Sequence, residues 1–148
     1  MKHKNIWYAL PLIALLAFTG CMKPRAELDD TLWGDQAVLT SAVLFKYEEV
    51  KNKLGYEEVV TGYQNVGITT NTNVLDKEKA TIKIETVKGT DLTKIGIRFS
   101  HYAKKIEPMN GAPVAGMISD FSKGPYVYRL YSADGTVRDW TITVTVAP

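Results

Sequence analysis

The stretch YRLYSADGTVRDWTITVTV, residues 128–146, reads as two alternating strands around a turn. Asp134-Gly135 supplies residues that tolerate a positive φ, as a tight hairpin turn requires. We predict that one alternation faces the core: Tyr128, Leu130, Ser132, Trp140, Ile142, Val144 and Val146. The other alternation is predicted to face outward: Arg129, Tyr131, Asp139, Thr141, Thr143 and Thr145. Because a slip of one residue would expose Trp140, the register of this hairpin should be strongly fixed.

The chain upstream of this hairpin also reads as strands. We predict one over 41–50, with Val43, Phe45 and Tyr47 on one face. We predict further strands over 80–89 and 95–100, short irregular strands within 56–71, and a loop or sheet edge over the Gly- and Pro-rich 107–117. After the N-terminal segment no convincing helical period appears. Strands spaced by roughly ten residues, with turn signals between them, indicate an all-β antiparallel sandwich over residues 39–148.

The first twenty residues, MKHKNIWYALPLIALLAFTG, predict a signal peptide. Two lysines precede an apolar run that ends at Phe18 and is too short for a stable membrane anchor. Cys21 follows at once, and Phe18-Thr19-Gly20-Cys21 resembles a bacterial lipobox, with Phe18 where that motif prefers Leu. The resemblance implies lipidation of Cys21, which would anchor the chain firmly. The alternative is an ordinary secretory signal with an incidental cysteine.

Charge and cysteine content narrow the function classes. The chain has 18 Lys and Arg and 16 Asp and Glu. Two of those lysines lie in the signal peptide, so the mature chain carries sixteen of each and no net charge. This argues against nucleic-acid binding, which rests on a basic surface. Cys21 is the only cysteine, so no internal disulfide can form. We expect one domain on a tether, residues 21–38.

The mature chain contains few residues that could carry out catalysis. His101 is its only histidine, and its only cysteine is the proposed lipidation site. Nucleophilic catalysis and zinc binding both need more than this. The Glu48-Glu49 and Glu57-Glu58 pairs are more typical of solvated faces than of a glycosidase pair. A calcium site built from turn residues Asp76, Glu78 and Asp91 remains an alternative. We therefore expect a non-enzymatic protein with no cofactor and no bound metal.

Aromatic side chains are the remaining candidates for ligand contact. Tyrosines that loops or an outer sheet face could present are Tyr56, Tyr63, Tyr102, Tyr126 and Tyr131. Sugars stack on such rings, and a tyrosine adds a hydroxyl group. Tyr131 beside Arg129, on the predicted outer face, is the candidate ligand-binding pair. The alternative is that these rings only cover the sheet surface or pack at strand ends.

Four motifs occur along the chain: the Tyr128 to Gly135 turn with the Trp140 to Val144 strand, the turn Gly89 to Leu92, Asp120 to Ser122, and the series Ser100, Ala103, Pro108 and Gly111. Together they resemble the immunoglobulin-like modules of Bacteroidetes cell-surface lipoproteins. The resemblance covers residues from about 42 to 146. It implies an immunoglobulin-like fold and a cell-envelope address, and it carries no catalytic residue. Such modules often precede domains for carbohydrate metabolism or glycan binding.

These observations predict a lipid-anchored accessory module of the outer membrane, with exposure at the cell surface as a further expectation. It would act as a spacer or protein-interaction domain in a glycan-handling assembly. The alternative is direct glycan binding through exposed tyrosines. The expected partners are the membrane, through the lipid on Cys21, and either an envelope protein or a glycan, but no nucleic acid. An exposed aromatic platform would favour glycan binding.

Overall fold

The computed structural model describes residues 33–70 and 73–148, and within them it contains eight strands, one short 3₁₀ turn and no α-helix. The strands are β1 (Leu39–Leu54), β2 (Glu57–Gly67), β3 (Val74–Asp76), β4 (Thr81–Thr86), β5 (Gly96–His101), β6 (Lys105–Met109), β7 (Tyr126–Tyr131) and β8 (Val137–Val146). The 3₁₀ turn, Leu92–Lys94, precedes β5. The signal peptide and Cys21 lie outside the described residues. Among those residues, no helix is long and apolar enough to cross a membrane.

The strands form two sheets. The first has the order β2-β1-β5 and is antiparallel throughout. The second has the order β3-β4-β8-β7-β6 and is mixed, because β4 and β8 run parallel. The expectation of a purely antiparallel structure is therefore wrong at this pair. Alternation along a strand shows which face is buried, but it carries no information on the direction of a partner distant in sequence.

One hydrophobic core lies between the sheets. It combines Leu44 and Ile97 of the first sheet with Ile82 and Trp140 of the second, all essentially inaccessible. β4 buries Ile82 and Ile84, and the prediction for the core face of the β7–β8 hairpin is confirmed from Tyr128 to Ile142. Val146, which was also predicted to face the core, is 37% exposed, because it is the last residue of β8 and lies at the edge of the core.

The β7–β8 hairpin has the register that the sequence predicts. Tyr128 lies opposite Trp140, and the turn between the strands includes Gly135 at φ 91°. The Tyr128 hydroxyl donates to the carbonyl oxygen of Pro113 at 2.6 Å. Burial raises the pKa of this hydroxyl well above its usual value, because ionisation would leave a charge in the apolar core.

Residues 34–38, which the sequence assigns to the tether, lie against the sheets. Ala37 is fully buried, and its carbonyl accepts a hydrogen bond from the Trp140 indole N–H at 3.0 Å. Asp35 accepts from the Arg138 guanidinium at 2.7 Å. The packed part of the chain therefore begins before β1.

The longest strands form a projecting arm. β5 pairs with β1 only from Leu39 to Phe45, whereas β2 pairs with β1 as far as Leu54. Residues 46–66, which we call the hairpin arm, therefore form a two-stranded ribbon beyond the third strand. The prediction of short irregular strands over this region is wrong. β2 is continuous for 11 residues, and a register shift opposite Val50 and Lys51 accommodates its irregularity as a bulge.

Candidate ligand-binding surfaces

Arg129 lies on the outer face of the second sheet, as predicted, and its guanidinium is paired with a carboxylate. Its Nε and Nη2 donate to the two carboxylate oxygens of Asp139 at 2.7 and 2.8 Å. The two residues lie directly opposite each other on β7 and β8. The guanidinium holds the pKa of the Asp139 carboxyl below its usual value, and the carboxylate raises that of Arg129. A ligand would have to compete with this two-point contact.

Tyr131 lies two residues after Arg129 on β7, on the same face of the sheet, and its hydroxyl also has a protein partner. Its hydroxyl hydrogen-bonds the Glu107 carboxylate, which raises the pKa of Tyr131. Glu107 also forms an ion pair with Lys105, and this contact, ahead of the one to Tyr131, lowers the pKa of Glu107. The Lys105 ammonium lies 5.6 Å from the Tyr131 ring centroid. Both polar groups of the predicted pair thus have protein partners, and a cation already lies over the tyrosine ring.

A different aromatic surface lies on the outer face of the first sheet. Val43, Phe45 and Tyr47 share this face, as the sequence predicts, because the other alternation of β1 enters the core. Phe45 is nonetheless buried, since Gly96 on the neighbouring strand leaves room for its ring. The Arg98 guanidinium lies 4.4 Å above the Phe45 ring centroid. The ring of Tyr47 meets Phe45 edge to face at 5.8 Å.

Beyond Phe45 this face opens into a groove, which we call the distal groove. Tyr47, Tyr63, Lys94 and Ile118 line it, and its volume is about 500 Å³. Tyr63 lies opposite Glu49, two residues along β1 from Tyr47, so the two rings are diagonal neighbours on one face. Tyr47 is 52% exposed and Tyr63 69% exposed. The volume falls in the range of about 300 to 1,000 Å³ that small-molecule sites occupy.

The distal groove joins three separate parts of the chain. Tyr47 and Tyr63 come from the hairpin arm, and Lys94 ends the 3₁₀ turn that the Asp91 side chain caps. Ile118 precedes Ser119, which pairs with Ile95 in an isolated bridge. The segment that covers the free edge of β5 therefore also forms one wall of the groove.

A second groove lies near the start of β1. Trp33, Gln36, Tyr102 and Ala133 line it, and its volume is about 470 Å³. Trp33 is 71% exposed. We call this the proximal groove, because it lies where the chain enters the fold. Along β1, Leu39, near the point where the chain enters the fold, and Tyr47 of the distal groove are about 26 Å apart.

The other tyrosines of interest fall into two groups. Tyr56 is fully exposed at the tip of the hairpin arm. Tyr126 is buried, with its hydroxyl donating to the carbonyl oxygen of Asp120 and accepting from the Lys123 N–H. Tyr47 was not among the sequence candidates. In the preceding part of β1, Ala42 and Leu44 on one face and Val43 and Phe45 on the other are all apolar, so the alternation there does not show which face is exposed.

The carboxylates considered for calcium have local structural contacts. Asp76 accepts from the backbone N–H groups of Lys79 and Glu78, and its pKa is lowered, chiefly by the Lys79 contact. Asp91 accepts from the N–H and hydroxyl of Thr93. Within the described residues, no group of three or more His, Cys, Asp or Glu side chains is placed to hold a metal ion.

Comparison with known proteins gives a fold relationship. The family model described as DUF5018-related matches residues 87–143, the stretch from before β5 into β8. A crystal structure of a Bacteroides fragilis protein, predicted to be secreted, superposes with a TM-score of 0.60. The two are 18% identical, and the match covers 76% of this chain and 97% of that chain. None of the curated proteins compared matches this chain. The chain therefore shares its fold with a protein from a Bacteroides species.

Proposed function

We propose that this chain is a non-enzymatic, lipid-anchored accessory module of the cell envelope, and that its distal groove binds a glycan. In this proposal residues 1–20 are a signal peptide, Cys21 carries the lipid in the outer membrane, and the two sheets form an immunoglobulin-like sandwich. The observation that carries the proposal is the pair of exposed rings of Tyr47 and Tyr63 on one wall of an open groove. An exposed aromatic platform is what distinguishes glycan binding from a spacer role.

The groove offers the groups that a sugar ring needs. The faces of Tyr47 and Tyr63 accept the C–H groups of a pyranose, and their hydroxyls exchange hydrogen bonds with its hydroxyls. The Lys94 ammonium, which also lines the groove, can donate to a sugar hydroxyl or carboxylate. Ile118 provides an apolar contact. By contrast, Arg129 and Tyr131 would first have to release Asp139 and Glu107.

The position of the groove suits an anchored receptor. The chain enters the fold beside the proximal groove, and the distal groove lies at the other end of the packed part of β1. In this proposal the lipid on Cys21 anchors the chain on the side of the proximal groove, and the distal groove faces away from the membrane. A spacer or protein-interaction domain without glycan binding is the second candidate, and the exposed hairpin arm favours it.

The test is a glycan array with the soluble chain, residues 22–148, followed by calorimetry on any hit. We expect Tyr63→Ala to weaken binding by at least about fivefold, since one aromatic contact contributes on the order of 1 kcal/mol. Tyr56→Ala is the matched control, because it removes an exposed tyrosine of the same arm that lies outside the groove.

The variant Tyr131→Ala tests whether the ligand binds the outer face of the second sheet rather than the distal groove. Loss of binding in Tyr131→Ala, with Tyr63→Ala unaffected, would move the site to the outer face of the second sheet. No binding to any glycan by a chain with a native β spectrum would overturn the proposal and leave the spacer or protein-interaction role.

A further inference from the structure

The two sheets differ in how the charges on their outer faces are balanced. On the second sheet, the cations that β6 and β7 present outward are each paired with a carboxylate. On the first sheet, β5 presents Arg98, and Lys94 precedes the strand; both side chains are exposed. The ion pairs among the described residues include neither of them. Glu49, an acid further along the same face of β1, is paired with Lys51 at 3.7 Å.

The strand register places both cations beside the aromatic rings of this face. β5 pairs with β1 so that Arg98 lies opposite Val43, two residues before Phe45. Continued in the other direction, the same register places Lys94 level with Tyr47, where it lines the distal groove. The two cations therefore lie on either side of the Phe45 ring, one in the groove and one beyond it.

The guanidinium of Arg98 is oriented by a contact that leaves its N–H groups available. It lies 4.4 Å above the Phe45 ring centroid, a cation–π contact that uses the flat face of the group. It forms no hydrogen bond to another described residue. The N–H groups at the edge of a guanidinium match the oxygens of a carboxylate or of a tetrahedral oxyanion in a two-point contact. Arg98 is therefore suited to bind an anionic group on this face.

The acids of the neighbouring loops offset part of the charge of Lys94. Asp91 accepts from the N–H and hydroxyl of Thr93, and Asp120 likewise accepts within its own turn. The pKa of Asp91 is lowered chiefly by the Thr93 contacts and less by the charge of Lys94. Lys94 is thus partly balanced by Asp91, and we expect Arg98 to attract an anion more strongly.

We propose that the glycan of the distal groove is anionic, and that Arg98 binds its carboxylate or sulfate group while the rings of Tyr47 and Tyr63 contact its sugars. The bound chain of sugars runs from the groove across Phe45 to Arg98. Charge complementarity carries this choice of ligand, because a neutral glycan would leave both cations of the face without a counter-charge. The inference rests on the proposed function, since it specifies the ligand of the same groove.

Matched polymers test the charge of the ligand. The chain 22–148 is applied to an array that carries polygalacturonate beside its methyl ester, and dextran sulfate beside dextran. The members of each pair share a sugar backbone and differ in charge. We expect at least one anionic polymer to bind at least about tenfold more tightly than its neutral counterpart, as a hydrogen-bonded charged group implies. The pair that shows the difference identifies carboxylate or sulfate as the group recognised, and this comparison does not depend on the folding of any variant.

A pair of charge-removing variants locates the anion. Arg98→Gln, with a native β spectrum, should weaken binding of the anionic polymer at least about tenfold. Lys83→Gln is the matched control, because it removes one exposed positive charge from the outer face of the second sheet and should leave binding unchanged. An equal loss in both variants would overturn the inference, since it would show attraction by net charge alone.

The failure of this inference can be told apart from the failure of the proposed function. If the anionic polymers bind no more tightly than their neutral counterparts, the inference is wrong. Binding of a neutral glycan that Tyr63→Ala weakens would in that case still support the proposed function. No binding to any glycan by the natively folded chain would overturn both.

Discussion

The indole N–H of Trp140 in β8 donates to the carbonyl oxygen of Ala37, which precedes β1, at 3.0 Å, and both residues are fully buried. They are 103 positions apart in sequence. This contact joins the segment before β1 to the strand at the centre of the second sheet. The backbone N–H of Gln36 adds a hydrogen bond to the Ser132 hydroxyl at 2.9 Å. Residues 34–38 therefore contribute to the stability of the sheets.

A chain that begins at residue 39 should be clearly less stable than one that begins at residue 33. It loses the buried Ala37 side chain and leaves the Trp140 N–H without its partner, which costs on the order of 1 to 3 kcal/mol for that group alone. Urea denaturation of the two chains measures the difference. A chain that begins at residue 22 is the control and should match the one from residue 33. Equal midpoints for all three would show that residues 34–38 do not hold the fold.

Gly96 should be intolerant of any side chain. A Cβ at this position would lie less than 3 Å from three atoms of the Phe45 ring, which is itself buried under Arg98. Gly96→Ala should therefore destabilise the fold by about 1 to 3 kcal/mol, as overpacking does. Gly62→Ala, also in the first sheet, is the matched control, because its Cβ would meet no atom within 4 Å. Thermal unfolding that affects both variants equally would contradict the close approach of Phe45.

The elements that the sequence predicts well are those whose signals are local. The β7–β8 hairpin combines strict alternation with an Asp-Gly turn, and the register follows from burying Trp140. The hairpin arm has no such signal. Glycines at 62 and 67 favour interruption of a strand, yet β2 continues through Gly62, because a bulge absorbs the irregularity, and it ends only at Gly67. The parallel pairing of β4 with β8 joins segments about 60 residues apart and leaves no mark on either strand alone.

The same reasoning explains the candidate site. Arg129 and Asp139 are both predicted to face outward, and the hairpin register places them opposite each other, so their ion pair could be predicted from the sequence. The distal groove could not be predicted in this way. Tyr47, Lys94 and Ile118 lie on three separate segments, and only the packing of the first sheet brings them together.

The Arg129–Asp139 pair should make stability depend on pH. Because Arg129 lowers the pKa of Asp139 in the folded chain below the unfolded value of about 3.9, the stabilisation is present above that pH. It is lost as the pH falls through the folded pKa. At pH 7 Asp139→Asn should unfold at a lower temperature than the parent chain, and the difference should shrink below about pH 4. Since both side chains are part-exposed, high salt should also reduce it. A difference that is constant from pH 7 to pH 3 would mean that the carboxylate charge contributes nothing.

Amide hydrogen exchange should be slow in β1 up to Phe45 and faster in the part of β1 beyond it. Residues 39–45 have β2 or the covered β5 as neighbours and pack on the core, whereas 46–54 pair only with β2. Opening the hairpin arm therefore exposes little buried surface, and its amides should exchange through local opening rather than global unfolding. We expect protection in the arm to be at least about tenfold lower than in the first part of β1, measured by mass spectrometry of overlapping peptides. The β4–β8 ladder, which lies in the core, is the internal reference. Uniform protection along β1 in a dilute monomeric sample would show that the arm is held as firmly as the core.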